Sequence, residues 1–228
     1  CYILYVNGME VLRGPVRGTC TLQYYDTIDI APWLHTGKNF LAVLIHSSGY
    51  ENFNATPGTK VPALLLKSGN ITSDGSWQAQ IASEWKNCAV YYTMQTGYRE
   101  ERDMRLAPED SEWTVGAGSA EDWGAAVSVT PFRKKSIRLR TIPPLSERTI
   151  IPVDVPMCAT LTFQVPQPED VLNGWIDNAT WEKTGNVAGL PTLVSSEQNC
   201  VIPPEKPLGI ILDFGQDYTC FPEVELFA

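Results

Sequence analysis

The 228-residue chain has only two histidines, His35 and His46, and none of its six cysteines forms a C-x-x-C pair. A structural zinc site needs clustered thiolates and imidazoles, so that class of protein is disfavoured. Each histidine stands alone and reads as a satisfied polar residue. Basic residues are also scarce: 17 Lys and Arg face 26 Asp and Glu, giving a net charge of −9. Nucleic-acid binding requires basic stripes to neutralise phosphates, and none is present. No apolar run approaches the ~20 residues that cross a bilayer as a helix. G-x-S-x-G, H-E-x-x-H, P-loop and dinucleotide motifs are all missing, so no self-contained active site is visible.

What the chain does have points to strands. Seventeen prolines, seventeen glycines, seven tryptophans and nine tyrosines suit many short strands joined by turns, which favours an all-β class. The cysteines, Cys1, Cys20, Cys88, Cys158, Cys200 and Cys220, are too sparse for a disulfide scaffold of this length and read as buried free thiols. N-x-[ST] sequons occur at Asn54, Asn70 and Asn178; such short matches also arise by chance.

Tyr2 to Val6 is an aromatic and β-branched run suited to a strand covered on both faces. Asn7-Gly8 supplies the positive φ values of a two-residue hairpin, and Met9 to Leu12 returns. Gly14-Pro15 interrupts the pairing. Tyr24 to Ile30 alternates like a half-exposed strand. Ala31 to Leu34 can make one helical turn, with Pro32 in it and Gly37 following. Asn39 to His46 and Val61 to Lys67 read as further strands, with turns at Ser68-Gly69-Asn70 and Ser73-Asp74-Gly75. Later come Cys88 to Thr93, Ala125 to Thr130, Ile150 to Val155, Ala159 to Val165 and Leu208 to Phe214.

Several of these segments carry a family likeness. YVNG, GP-x-R, YYDTIDI and LHTGKNFLAVLIHSSG, between Tyr2 and Gly49, resemble the jelly-roll, sugar-binding-like module ahead of the catalytic domain in α-L-rhamnosidase-like glycoside hydrolases. Asp74 to Trp77, Gly97 to Arg105 and Glu121 to Thr130 resemble later segments of that module. LGIILDFGQDYTCFPEVEL, from Leu208, resembles the segment that precedes the helical catalytic barrel, with Cys220 where glycine is usual. The resemblance is dense over residues 2–49 and 208–226 and loose over 145–200. It implies two consecutive antiparallel β-sandwiches: residues 1–132, a linker at 133–148, and an incomplete second sandwich at 149–228. The linker carries Arg133, Lys134, Lys135, Arg138 and Arg140, read as a solvated stretch. The resemblance also implies that strands precede Cys1 and a barrel follows Ala228, so the expectation is a piece truncated at both ends.

Residues able to carry chemistry are few. Six acids (Glu100, Glu101, Asp103, Glu109, Asp110, Glu112) alternate with Arg99, Arg102 and Arg105. A glycosidase needs two separated carboxylates, one of them kept protonated. Interleaved guanidiniums would hold these acids ionised instead, which suits a salt-bridged loop, and the resemblance implies that Glu100, Asp103 and Arg105 belong to a structural segment of the module. No catalytic residue is assigned. Sugars bind on aromatic faces flanked by directed polar groups. Trp33, Tyr50 and Trp77 are the contact candidates, ahead of Trp85, Trp175 and Trp181, while core packing is the alternative for each. Asp26 and Asp29 are a thin basis for a calcium site, which takes six or more oxygens; no other cofactor or metal is expected.

The expectation is therefore a non-catalytic part of an α-L-rhamnosidase-like enzyme. Its partners would be a catalytic barrel in the same polypeptide and a rhamnose-containing glycan, with no nucleic acid and no membrane. A free-standing carbohydrate-binding or adhesion module is the alternative.

Overall fold

A computed structural model describes residues 1–19, 21–47, 62–86, 91–93, 97–98, 102–107, 112–117, 123–129, 136–144, 146–163, 179–184, 201–202 and 207–220. They form an all-β protein: the α-helix among them, Glu112–Val115, is a single turn. The chain divides into two compact units, Cys1–Leu145 and Ser146–Ala228.

The first unit is built on its opening hairpin. Strands β1 (Tyr2–Val6) and β2 (Met9–Gly14) are antiparallel and joined at Asn7-Gly8. Both turn residues have positive φ, +50° and +84°, the left-handed pair that a two-residue hairpin matched to strand twist demands. Strand β4 (Leu41–Ile45) adds to the other edge of β1, giving the order β2-β1-β4. Leu4 and Val6 point to one face, where Val6 is fully buried. Tyr5 and its cross-strand partner Ala42 point to the other. There the single turn α1 (Glu112–Val115) covers them, with Trp113 edge-on to Tyr5 at 5.3 Å between ring centroids. A strand covered on both sides has no polar face to alternate with, which is why Tyr2 to Val6 reads as a continuous apolar run.

Elsewhere the strands are shorter than the sequence pattern suggests. Strand β3 spans Leu22–Tyr25, not Tyr24 to Ile30. The chain leaves it because the two carboxylates in the alternating stretch are used otherwise: Asp26 enters a buried ion pair, and Asp29 Oδ1 accepts from the Ala31 amide at 3.0 Å. That bond introduces the 3-10 turn Ala31–Trp33, with Pro32 in its first positions. Residues 62–66 are likewise not a strand; Leu65 is 80% exposed. Their backbone groups go to a side chain, since Ser73 Oγ accepts from the Leu66 amide and donates to the Leu64 carbonyl, a local bond that competes with ladder pairing. Pairing begins at β5 (Lys67–Ser68) and returns through Gly69-Asn70 to β6 (Ile71–Thr72). Strand β7 (Gln78–Ala79) pairs with β10 (Gly124–Ala125), and β8 (Tyr91–Thr93) with β9 (Gly97–Tyr98).

One pairing departs from the antiparallel expectation. Residues 136–140, within the stretch read as a solvated linker, form strand β11 (Ser136–Leu139) and its exit, and β11 runs parallel to β3. More than a hundred residues separate these strands, so nothing forces the tight antiparallel return that a short turn would impose.

The second unit has the sheet order β13-β12-β14, from β12 (Asp154–Phe163), β13 (Ala179–Lys183) and β14 (Leu208–Asp213). Of the two segments read as strands, Ile150 to Val155 and Ala159 to Val165, the described strand residues are Asp154–Val155 and 159–163, joined through 156–158 in the ten-residue β12, while 150–153 are not strand. Cys158, Ala159 and Gly209 are buried at its centre. Ala159 and Gly209 lie opposite each other, leaving a channel that the Trp181 indole enters from β13. A Cβ on Gly209 would stand 2.5 Å from Trp181 Cζ3. Cys158 fits the buried-thiol reading, but Cys1 and Cys220 are free and exposed; the other three cysteines lie outside the described residues.

Candidate functional site

The candidate residues fall into four local groups, each positioned by a different part of the first unit. Of the candidate residues singled out from the sequence, Tyr50, Arg99, Glu100, Glu101, Glu109, Asp110 and Trp175 lie outside the described residues.

The first group surrounds a hollow of about 240 Å³ lined by Asn7, His35, Lys38, Asn39, Phe40 and Val115. Its polar wall is a closed network. Asn7 Nδ2 donates to the Trp33 carbonyl at 2.8 Å and to Asn39 Oδ1 at 2.9 Å, while Asn7 Oδ1 accepts from the Phe40 amide at 2.8 Å. Asn39 Oδ1 also accepts from the His35 amide, and Asn39 Nδ2 donates to the His35 and Gly37 carbonyls. Both amides therefore hold the 33–40 loop against the hairpin turn, and their own N–H groups are all used within the protein. No described carboxylate lines the hollow. Trp33, half-buried in the 3-10 turn, meets this network through its carbonyl and is not among the residues that line the hollow.

Trp77 closes the β6–β7 turn. Its indole Nε1 donates to the Thr72 carbonyl at 2.8 Å, and its backbone bonds to Asp74 on one side and Ala126 on the other. Asp74 shapes that turn by accepting from the Ser76 amide and from both the Ser76 and Thr72 hydroxyls. These bonds, those to Ser76 first, hold the exposed Asp74 carboxyl below its ordinary value. With its polar edge engaged, Trp77 has no N–H left for a sugar hydroxyl. Trp33 and Trp77 thus belong to separate hydrogen-bonded turns.

In the acidic loop, Asp103 accepts from the Arg105 side chain through both oxygens, at 2.9 and 2.6 Å, and from the Arg105 amide. Bidentate pairing with the fork of a guanidinium favours the charged carboxylate. It brings Asp103 down to about 2. Arg102 stacks over the Trp85 ring at 4.8 Å from its centroid and lies 3.7 Å from the buried Glu84. One face of Trp85 is thereby covered by a cation rather than open to a sugar. We expect Asp103 to titrate near pH 2 by carbon-detected NMR. Because the folded value is depressed, its contribution to stability is complete above the ordinary value of 3.8 and is lost as pH falls through about 2. A midpoint near 4 would show that the pair is not formed in solution.

The fourth group was not legible from spacing. Asp26, its side chain 3% exposed, pairs with Arg140 Nε from the far end of β11, and accepts from the Tyr2 hydroxyl at 2.5 Å. Burial, then the bond to Asp26 and its charge, push the Tyr2 phenol up, with Arg140 opposing. Tyr2 therefore remains a donor throughout the ordinary pH range. Gly14 closes the cluster, since a Cβ there would lie 2.2 Å from Asp26 Oδ2 and 2.8 Å from the Tyr2 ring. With Asp26 engaged by a phenol and a guanidinium, and Asp29 accepting from the Ala31 amide, the two carboxylates do not fit a calcium cage. Among the described residues no group of three or more His, Cys, Asp or Glu converges on one point.

Comparison with known proteins adds one relationship. No described protein family matches the chain, and no curated protein does. A solved structure is similar: a GH78 family rhamnosidase of Bacillus sp. GL1, with a TM-score of 0.60 and 27% identity over 71% of this chain. The match covers 18% of that rhamnosidase, so this chain spans well under two thirds of its length. Fold and sequence together support a rhamnosidase-related protein.

Proposed function

We propose that this chain is a non-catalytic β-sandwich portion of a rhamnosidase-type glycoside hydrolase, of the jelly-roll, sugar-binding-like kind. In this reading its sheets support a helical catalytic barrel carried elsewhere in the same polypeptide, which would hydrolyse terminal α-L-rhamnose. The likeness to the Bacillus rhamnosidase supports this: it takes in most of this chain but under a fifth of that one. The local chemistry agrees, because Asp103 is paired with Arg105, Glu84 lies beside Arg102, Asp26 is engaged by Arg140 and Tyr2, and Asp29 and Asp74 accept from backbone amides. Reading the gene on both sides of the 228 codons tests the proposal. A barrel-coding region downstream supports it, whereas a stop codon directly after Ala228 removes it.

A carbohydrate contact belongs to the same proposal, with Trp33 as its residue, since Trp77 has its indole N–H engaged internally. Titration of the protein with rhamnosides should then show weak binding that Trp33→Ala abolishes. Trp77→Ala should lower the melting temperature and leave any affinity unchanged. Absence of binding would restrict the chain to a scaffold role, while binding with no downstream barrel would favour a free-standing carbohydrate-binding module.

A further inference from the structure

We infer that residues 136–140 form a strap, fastened to the first unit by Arg140, that opens while the β2-β1-β4 sheet stays folded. Strand β11 has β3 as its neighbour in a two-stranded sheet, and an isolated pair of strands is marginal in water. All four of its residues are exposed, with Ile137 at 52% and Leu139 at 48%. Apolar burial therefore does little to hold it. Backbone bonds fix its ends, from the Ser136 amide to the Thr21 carbonyl and from the Arg140 amide to the Tyr25 carbonyl, each at 2.9 Å.

The side chain that is largely withdrawn from water is Arg140, 13% exposed, and it reaches the nearly inaccessible Asp26 carboxylate. Asp26 in turn belongs to the body of the unit, because Tyr2 of β1 donates to it and Gly14 of β2 packs beside it. Removing one partner of an ion pair shielded from water is costly, because the other charge is left buried without its counterion, and Asp26 is further held by the Tyr2 hydroxyl. The β1 and β4 strands depend instead on Leu4, Val6 and Ala42. Two attachments of different chemistry make separable opening units. The strap is also the last element before the second unit begins at Ser146, so opening it lengthens the covalent tether between the units. This inference does not depend on the proposed function.

Amide exchange of the full chain, followed by mass spectrometry, tests it with two variants. Arg140→Gln should accelerate exchange at 22–25 and 136–140 by on the order of a hundredfold, and leave 2–6 and 41–45 unchanged. The double variant Asp26→Asn/Arg140→Gln, which strands no charge, should open the same segment. Protection retained in the double variant would mean that a stranded carboxylate, not a lost fastening, caused the opening, and would overturn the inference. Equal acceleration at 2–6, or none at 136–140, would also overturn it. Should neither variant fold, the unaltered protein decides. Its 136–140 amides must exchange faster than those at 2–6, through an opening insensitive to low denaturant, and a single common opening for both sets contradicts the strap.

Discussion

Val6→Asp should abolish folding of the first unit. Val6 is fully buried on the central strand of the β2-β1-β4 sheet, on the face it shares with Leu4. An ionised carboxylate there has no partner, and an uncompensated buried charge costs more than about 4 kcal/mol. That is most of the ~5–15 kcal/mol by which a domain is ordinarily stable. Two milder variants calibrate the effect. Val6→Ala removes two methyl groups and should cost about 2 kcal/mol, chiefly through the cavity left behind. Val6→Thr keeps the shape but buries a hydroxyl without a partner, at about 1–3 kcal/mol. Chemical denaturation with near-ultraviolet circular dichroism orders the three. A cooperative, wild-type transition in Val6→Asp would mean that this face is not the core.

Gly209→Ala should destabilise the second unit by about 2–3 kcal/mol, an unusual penalty for adding one methyl group to a strand. Glycine normally weakens a strand, so alanine would be stabilising if space allowed. Here the new Cβ would meet Trp181 Cζ3 at 2.5 Å, Cη2 at 2.8 Å and Leu161 Cδ2 at 3.1 Å. The indole cannot simply retreat, because Trp181 and Leu161 are cross-strand partners on β13 and β12. Trimming the ring should therefore rescue the defect. In the double variant Gly209→Ala/Trp181→Leu, the loss should be smaller than the sum of the two single losses. Additive losses would show that the glycine answers to something other than the indole.

The parts of the fold legible in the sequence are those determined by neighbours along the chain. Asn7-Gly8 announces its hairpin, because few other residue pairs adopt two successive positive φ angles. Ala31-Pro32-Trp33 announces a single turn, and Gly69-Asn70 the β5–β6 return. The apolar run at 208–213 is a strand because its burial pattern is local. Long-range partners were not legible. Nothing near Arg140 in sequence says that it will meet Asp26, so a row of cations reads as a solvated linker. The same blindness extends Tyr24 to Ile30 into a strand: alternation alone cannot show that Asp26 and Asp29 are claimed by a guanidinium and a helix-turn amide.

The candidate site follows the same division. Residue type alone marked Trp33 and Trp77 as ring surfaces, but whether an indole N–H is free depends on where a distant carbonyl lies, as Thr72 does for Trp77. The Asn7–Asn39 network is not legible in the sequence because each asparagine reads locally as a turn residue. Their separation of 32 positions hides that they share one bond. The one available hint was that Asn7 and Asn39 flank the same apolar strands. Read that way, they mark a loop fastened to a hairpin.

The most direct test of the whole account is turnover of an aryl α-L-rhamnoside. It is measured side by side for the purified 228-residue chain and for the product of the complete reading frame. The account predicts no hydrolysis by the chain alone and hydrolysis by the longer product. Turnover by the chain itself, abolished in Glu101→Gln, would place the chemistry within these sheets and contradict it.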